Sequence, residues 1–203
     1  KCNVAIGVDA ADAITSGLDN VAIGTNALGA STTGCRNVAI GELAMGAGVT
    51  TGKCNIAIGP LAMDALTCGL DNVALGQNAL GAMTRGCENV AIGKNTMCGI
   101  TTGAALGNIG IGEAAFGGSS NTTGGHNVAI GTAASDAITT GSDNVAIGRN
   151  ALGVATTGGN NIALGNLALG VGVVTGSYNI AFGVNAADAL TTGACNIAIG
   201  QNA

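Results

Sequence analysis

A five-residue motif recurs twelve times along the chain: Asn, a Val or Ile, a small residue, a larger apolar residue, then Gly. Its Asn stands at Asn3, Asn20, Asn37, Asn55, Asn72, Asn89, Asn108, Asn127, Asn144, Asn161, Asn179 and Asn196. The intervals are 17, 17, 18, 17, 17, 19, 19, 17, 17, 18 and 17 residues. With the Asn counted as offset 0, offset 2 is Ala eleven times and Gly110 once, and offset 4 is always Gly. A second apolar patch follows, as in Ala27-Leu28 and Ala151-Leu152, and then Thr-Thr-Gly or a near variant, as in Thr32-Thr33-Gly34. A short fixed period of this kind specifies a solenoid. The array runs over 1–203 as one continuous unit, with its longer, irregular coils at 89–126.

Strands are expected rather than helices. Val4-Ala5-Ile6 places β-branched residues two apart between Asn3 and Gly7, a period-2 pattern. Gly recurring every few residues would cost a helix about 1 kcal/mol each. Composition agrees: aromatics make up 1 % and Pro occurs once, so a thick single core is excluded. The 47 % hydrophobic and 8 % charged content argues against disorder. The fold class predicted is all-β, a parallel β-roll or β-helix of about twelve coils of 17–19 residues. Neighbouring strands about 4.8 Å apart would make a rod roughly 53 Å long.

Orientation is argued from offset 2. If Val4 and Ile6 point into the coil, Ala5 points outward. A row of small outward residues at Ala5, Ala22, Ala39, Ala57, Ala74, Ala91, Ala129, Ala146, Ala163, Ala181 and Ala198 then predicts a face covered by another subunit. Three-fold closure is the economical solution. The alternative is that the alanines face another part of the same chain. A longer period of about 52 residues is superimposed, carried by Asp12-Ala13, Asp64-Ala65, Asp136-Ala137 and Asp188-Ala189. Triplet duplication accounts for it, and so does a single 52-residue turn that winds three faces.

Stretches such as Asn20-Val21-Ala22-Ile23-Gly24-Thr25-Asn26-Ala27-Leu28 resemble the head repeats of trimeric autotransporter adhesins. They resemble still more the Asn-x-Ala-Ile-Gly…Thr-Thr-Gly repeats of phage tail fibres. The resemblance covers the whole chain and implies a trimer of parallel β-rolls in an extracellular or virion fibre. It implies scaffold rather than ligand, and leaves any host-surface receptor to a part outside this chain. The 17-residue period and the seven cysteines depart from the adhesin heads.

Chemistry-bearing residues are few. None of the seven cysteines forms a Cys-x-x-Cys pair, and with His126 alone there is no zinc set. Cys35 and Cys54 are 19 apart, as are Cys68 and Cys87, so stacked coils could bring each pair into disulfide reach. A bridge of that span adds roughly 3 kcal/mol in the chain-entropy model. Cys2 and Cys195 are the candidates for inter-chain thiols, and bridging places the protein outside the cytosol. Each motif Asn is expected to bond to its equivalent one coil on, as a ladder. The motif Gly is expected to supply a positive φ.

The Thr row invites comparison with ice-binding solenoids. Offset 12, or its shifted equivalent, is Thr in ten of eleven full repeats. Only one of two adjacent residues faces outward, however, and Cys68 and Arg85 interrupt the next column. Asn121-Thr122-Thr123 is an N-glycosylation sequon in the longest polar loop, which makes Asn121 an acceptor in a glycosylating host. Gly110-Ile111-Gly112-Glu113-Ala114-Ala115 fits a loose dinucleotide fingerprint with no βαβ unit around it. The Asp-Ala aspartates are too sparse for the six to eight oxygens of a calcium site, and read as a solvated acidic stripe.

Net charge −5 with six scattered Lys and Arg argues against nucleic acid. Residues 150–187 carry no Asp, Glu or Lys, but their asparagines and glycines argue against membrane insertion. No cofactor and no catalytic constellation is expected. The function expected is a non-enzymatic structural fibre, the shaft or head of a virion tail fibre or cell-surface adhesin, extracellular and partnered by itself. A self-polymerising filament and an ice-binding solenoid are the alternatives.

Overall fold

The computed structural model describes residues 2–101, 105–118 and 123–203. Twelve three-residue strands carry the motif: β1 (Val4–Ile6), β2 (Val21–Ile23), β3 (Val38–Ile40), β4 (Ile56–Ile58), β5 (Val73–Leu75) and β6 (Val90–Ile92), followed by β7 (Ile109–Ile111), β8 (Val128–Ile130), β9 (Val145–Ile147), β10 (Ile162–Leu164), β11 (Ile180–Phe182) and β12 (Ile197–Ile199). They form one parallel sheet in chain order. Register is strict: Val4 pairs with Val21, Ala5 with Ala22 and Ile6 with Ile23, and the same holds at every step. The protein is a parallel β-solenoid of about eleven turns, without a helix among its described residues.

The strands face the opposite way from the expectation. The alanines from Ala22 to Ala181 in the motif row are fully buried, while Val and Ile at offsets 1 and 3 look outward. Space decides this. The coil is so flat that the sheet packs directly on the second apolar patch, whose Ala27 and Leu28, Ala44 and Met45, Ala79 and Leu80 are likewise at zero exposure. Only a methyl fits between the layers, so the branched residues are excluded from the interior. Ala22, Ala39, Ala57, Ala74, Ala91, Ala129, Ala146, Ala163 and Ala181 therefore do not form a subunit interface; they line the coil's own core, with Ala198 partly buried against it and Ala5, on the first strand, exposed.

One coil tests that account. At β7 the Ala is replaced by Gly110, and the residue at offset 8 is Phe116 rather than Leu or Met. A Cβ built on Gly110 would lie 2.9 Å from Thr96 Cγ2, 3.0 Å from Met97 Cε and 3.3 Å from Phe116 Cδ2. The larger ring occupies the volume that the methyl gives up.

Narrow turns demand unusual backbone. In the second coil Asn26, Leu28 and Arg36 have φ of 55°, 52° and 57°, and equivalent positions repeat this along the rod. Left-handed conformation costs a non-Gly residue roughly 1–2 kcal/mol. It also turns amides along the axis: Asn26 N–H donates to Val8 O (2.9 Å), Leu28 N–H to Ala44 O (3.0 Å) and Arg36 N–H to Leu18 O (2.9 Å). Axial hydrogen bonds offset the strain. The motif Gly adopts φ near 130°, as at Gly76 (132°), where a Cβ would lie 2.6 Å from Gly93 O. Glycine alone satisfies both the angle and that approach.

The coils just before the Asp-Ala coils of Asp64, Asp136 and Asp188 are 18, 19 and 18 residues long, three of the four coils that exceed 17. Each of the three bonds to the aspartate of the next coil. Ala47 N–H donates to Asp64 Oδ1 (2.9 Å) and to Asp64 O (3.1 Å), and Gly118 N–H donates to Asp136 Oδ1, while Val171 N–H donates to the backbone Asp188 O (3.0 Å). The carboxylates of Asp64 and Asp136 thus hold lengthened turns, so those two do not belong to a solvated stripe.

Candidate functional site: the outward face of the sheet

The outward face is built from two columns of large apolar side chains, one from offset 1 and one from offset 3 of every strand. Ile56 and Ile58 are 37 % and 36 % exposed, Ile147 is 40 % and Phe182 is 56 % exposed. At the strand spacing the strip is about 53 Å long, with its columns about 7 Å apart. Solvent-facing strips of this length exceed what a soluble monomer ordinarily shows. Exposed residues flank it on both sides, at offset −1 before the strand and offset 5 after it. Arg36, Cys54, Asp71, Glu88, His126 and Asp143 occupy the first column, and Glu42, Pro60, Gln77, Lys94, Glu113 and Arg149 the second.

Sequence reasoning missed this face by placing Val and Ile inside. The signal was present. A residue held at Ala or Gly in all twelve repeats marks crowding, and crowding in a flat coil lies inside.

The Asn row runs beneath the face and is buried from Asn20 to Asn179. Asn72 shows the pattern: its Oδ1 accepts from Asn89 N–H (3.0 Å) and Asn89 Nδ2 (3.1 Å), and its Nδ2 donates to Asn55 Oδ1 (3.0 Å) and Gly86 O (2.7 Å). Each amide thus joins three coils' worth of backbone and side chain. Asn3, Asn37, Asn55, Asn89, Asn108, Asn127, Asn144, Asn161 and Asn179 offer the same oxygen to the next coil.

The threonines of the Thr-Thr-Gly turn direct hydroxyls at backbone. Thr67 Oγ1 donates to Thr84 O and Thr84 Oγ1 to Thr101 O, both at 2.8 Å, and Thr139 Oγ1 to Thr156 O at 3.1 Å. The column behind them is exposed but includes Cys68 and Arg85.

All seven cysteines are free thiols, and Cys2, Cys54, Cys68 and Cys195 are exposed. Cys35 stacks on Lys53, and its carbonyl accepts from the amide of Cys54 at 3.1 Å, so that pair lies in neighbouring coils one residue apart. Cys87 stacks on Leu70, which puts Cys68 two residues and one coil away. That diagonal is about 8 Å, beyond ordinary disulfide reach. Burial pushes the Cys98 thiol up from its usual range, with Asp136 acting in the same direction and a backbone hydrogen bond opposing both. His126 Nδ1 lies 4.0 Å from Asp143 Oδ1 on the surface, with the two side chains 70 % and 56 % exposed. Asn121 falls outside the described residues.

Among the described residues there is no pocket, and no group of three or more His, Cys, Asp or Glu placed to hold a metal ion. Comparison with family models, with curated proteins and with solved structures finds no match.

Proposed function

We propose that this chain is a structural fibre module, the shaft or head of a virion tail fibre or cell-surface adhesin, working as a bundle of parallel rods outside the cell. The observation that carries the reading is the unbroken apolar strip along β1–β12. With its flanking columns the face is about 53 Å long and at most about 20 Å wide, on the order of 1,000 Å². Stable protein interfaces bury about 800 Å² per partner, so a copy that turns this whole face inward in a bundle buries an area of that order. A cyclic arrangement of three closes such a contact without leaving a free apolar edge.

The mechanical role follows from the bonding. Every coil is tied to the next by backbone ladders and by the Asn row, so load along the fibre is shared over many parallel hydrogen bonds. Electron microscopy of the purified protein, with and without reductant, together with native mass spectrometry, tests the reading. Trimeric rods of fixed length support it. Monomeric rods at all concentrations overturn it, and long filaments would assign the function to polymerisation instead.

A further inference from the structure

We infer that the copies pack parallel and in coil-for-coil register, and that a set of inter-chain ion pairs fixes this register. The inference rests on the fibre reading above, because it concerns the same face. It is carried by a correlation between the two flanking columns. Beside β3, Arg36 precedes the strand and Glu42 follows it; beside β6, Glu88 precedes and Lys94 follows; beside β9, Asp143 precedes and Arg149 follows. These are opposite charges at three-coil intervals, and all six side chains are exposed.

Within one chain they cannot pair. The three-residue strand and the bends on either side of it hold the two columns apart. Among the described residues Arg36, Glu42, Glu88, Lys94 and Arg149 form no ion pair, and Asp143 has only His126 of the same column at 4.0 Å. In a parallel cyclic assembly the second column of one copy meets the first column of its neighbour. Arg36 then faces Glu42 of the partner subunit, Glu88 faces Lys94 of the partner subunit, and Asp143 faces Arg149 of the partner subunit.

Of the other nine coils, four match like with like: Cys2 and Val8, Cys54 and Pro60, and Tyr178 and Val184 are apolar with apolar, and Asn160 and Asn166 are amide with amide. The other five, Asp19 with Thr25, Asp71 with Gln77, Gly107 with Glu113, His126 with Thr132 and Cys195 with Gln201, are unmatched. No coil sets like charges together. Slipping by one coil in one direction sets Glu42 against Asp19 and Glu113 against Glu88 and leaves one ion pair, Lys94 with Asp71; in the other direction it abolishes all three ion pairs. The apolar strip alone repeats at every coil and carries no register, so charges are what can supply it. An antiparallel pairing would set each column against itself, where same-coil complementarity has no use.

The test is a charge swap read by sedimentation velocity and native mass spectrometry at low salt, with circular dichroism checking that each rod remains folded. Arg36→Glu and Glu42→Arg singly should each weaken assembly about five-fold or more. The double variant Arg36→Glu/Glu42→Arg should recover to near the wild-type level, since the swapped pair is again opposite in register. A double variant as weak as the two singles combined overturns the register. So do singles that assemble like the wild type. A wild-type protein that never associates overturns the fibre reading as well, which separates the two failures.

Discussion

At the residue scale the interior is a problem of single methyl groups. Offset 2 is Ala where the residue at offset 8 is Leu, Met, Ala or Ser135, and Gly110 where it is Phe116. Gly110→Ala forces a methyl to within 2.9 Å of Thr96 Cγ2 and close to the Phe116 ring. Overpacking of this kind costs about 1–3 kcal/mol, and denaturant unfolding should show it. Phe116→Leu alone should leave a void and also destabilise the rod. Combined, the two changes recreate the Ala–Leu pair that Ala22 and Leu28 or Ala146 and Leu152 make elsewhere in the rod, and the double variant should recover most of the loss. Additive losses would show that the two residues are independent. The motif's residue types were legible in the sequence, but their direction was not. Alternation says which residues share a face and never which face is inside. The rule that branched aliphatics are buried chose wrongly here, because it ignores how thin a 17-residue coil is.

Turns and coil lengths belong to the next scale. The 17-residue period, the strand at each motif and the parallel sheet could all be read from spacing. The hold of the Asp64 and Asp136 carboxylates on lengthened coils could not, since it is a contact between one coil's turn and the next coil's side chain. Asp64→Ala removes one of the two acceptors of Ala47 N–H and should cost about 0.5–1 kcal/mol, measured by thermal or urea unfolding. Asp64→Asn keeps an acceptor oxygen at that place and should lose less. Equal losses for the two variants would sink the capping account. Cysteine spacing was legible only in part: 19 residues separate both candidate pairs, yet lengthened and regular coils shift their columns differently. Mild oxidation followed by peptide mapping should therefore link Cys35 with Cys54 and leave Cys68 and Cys87 unlinked to each other. The reverse pattern would contradict the stacking of Cys87 on Leu70.

For the whole molecule, the decisive contrast is between two rows two residues wide. Ala91 and Ile92 are adjacent in β6, one at zero exposure and one 38 % exposed. The parallel solenoid was visible in the sequence, and its apolar outer face was not, because that face depended on the inverted orientation. Ile92→Lys keeps every core contact of its own coil and places a charge on the apolar strip. The isolated rod should hold its circular dichroism spectrum and lose less than about 1 kcal/mol, as surface changes usually do. Assembly should weaken at least about ten-fold, which corresponds to about 1.4 kcal/mol, since a cation must be desolvated in the contact. Ala91→Lys has no such escape and should unfold the rod at any concentration, because the charge would be buried within a single chain. If Ile92→Lys unfolds the dilute monomer as readily as Ala91→Lys does, the strip belongs to the coil's own stability. If it leaves the monomer intact and dissolves the assembly, the strip is the surface by which the rods are built into a fibre.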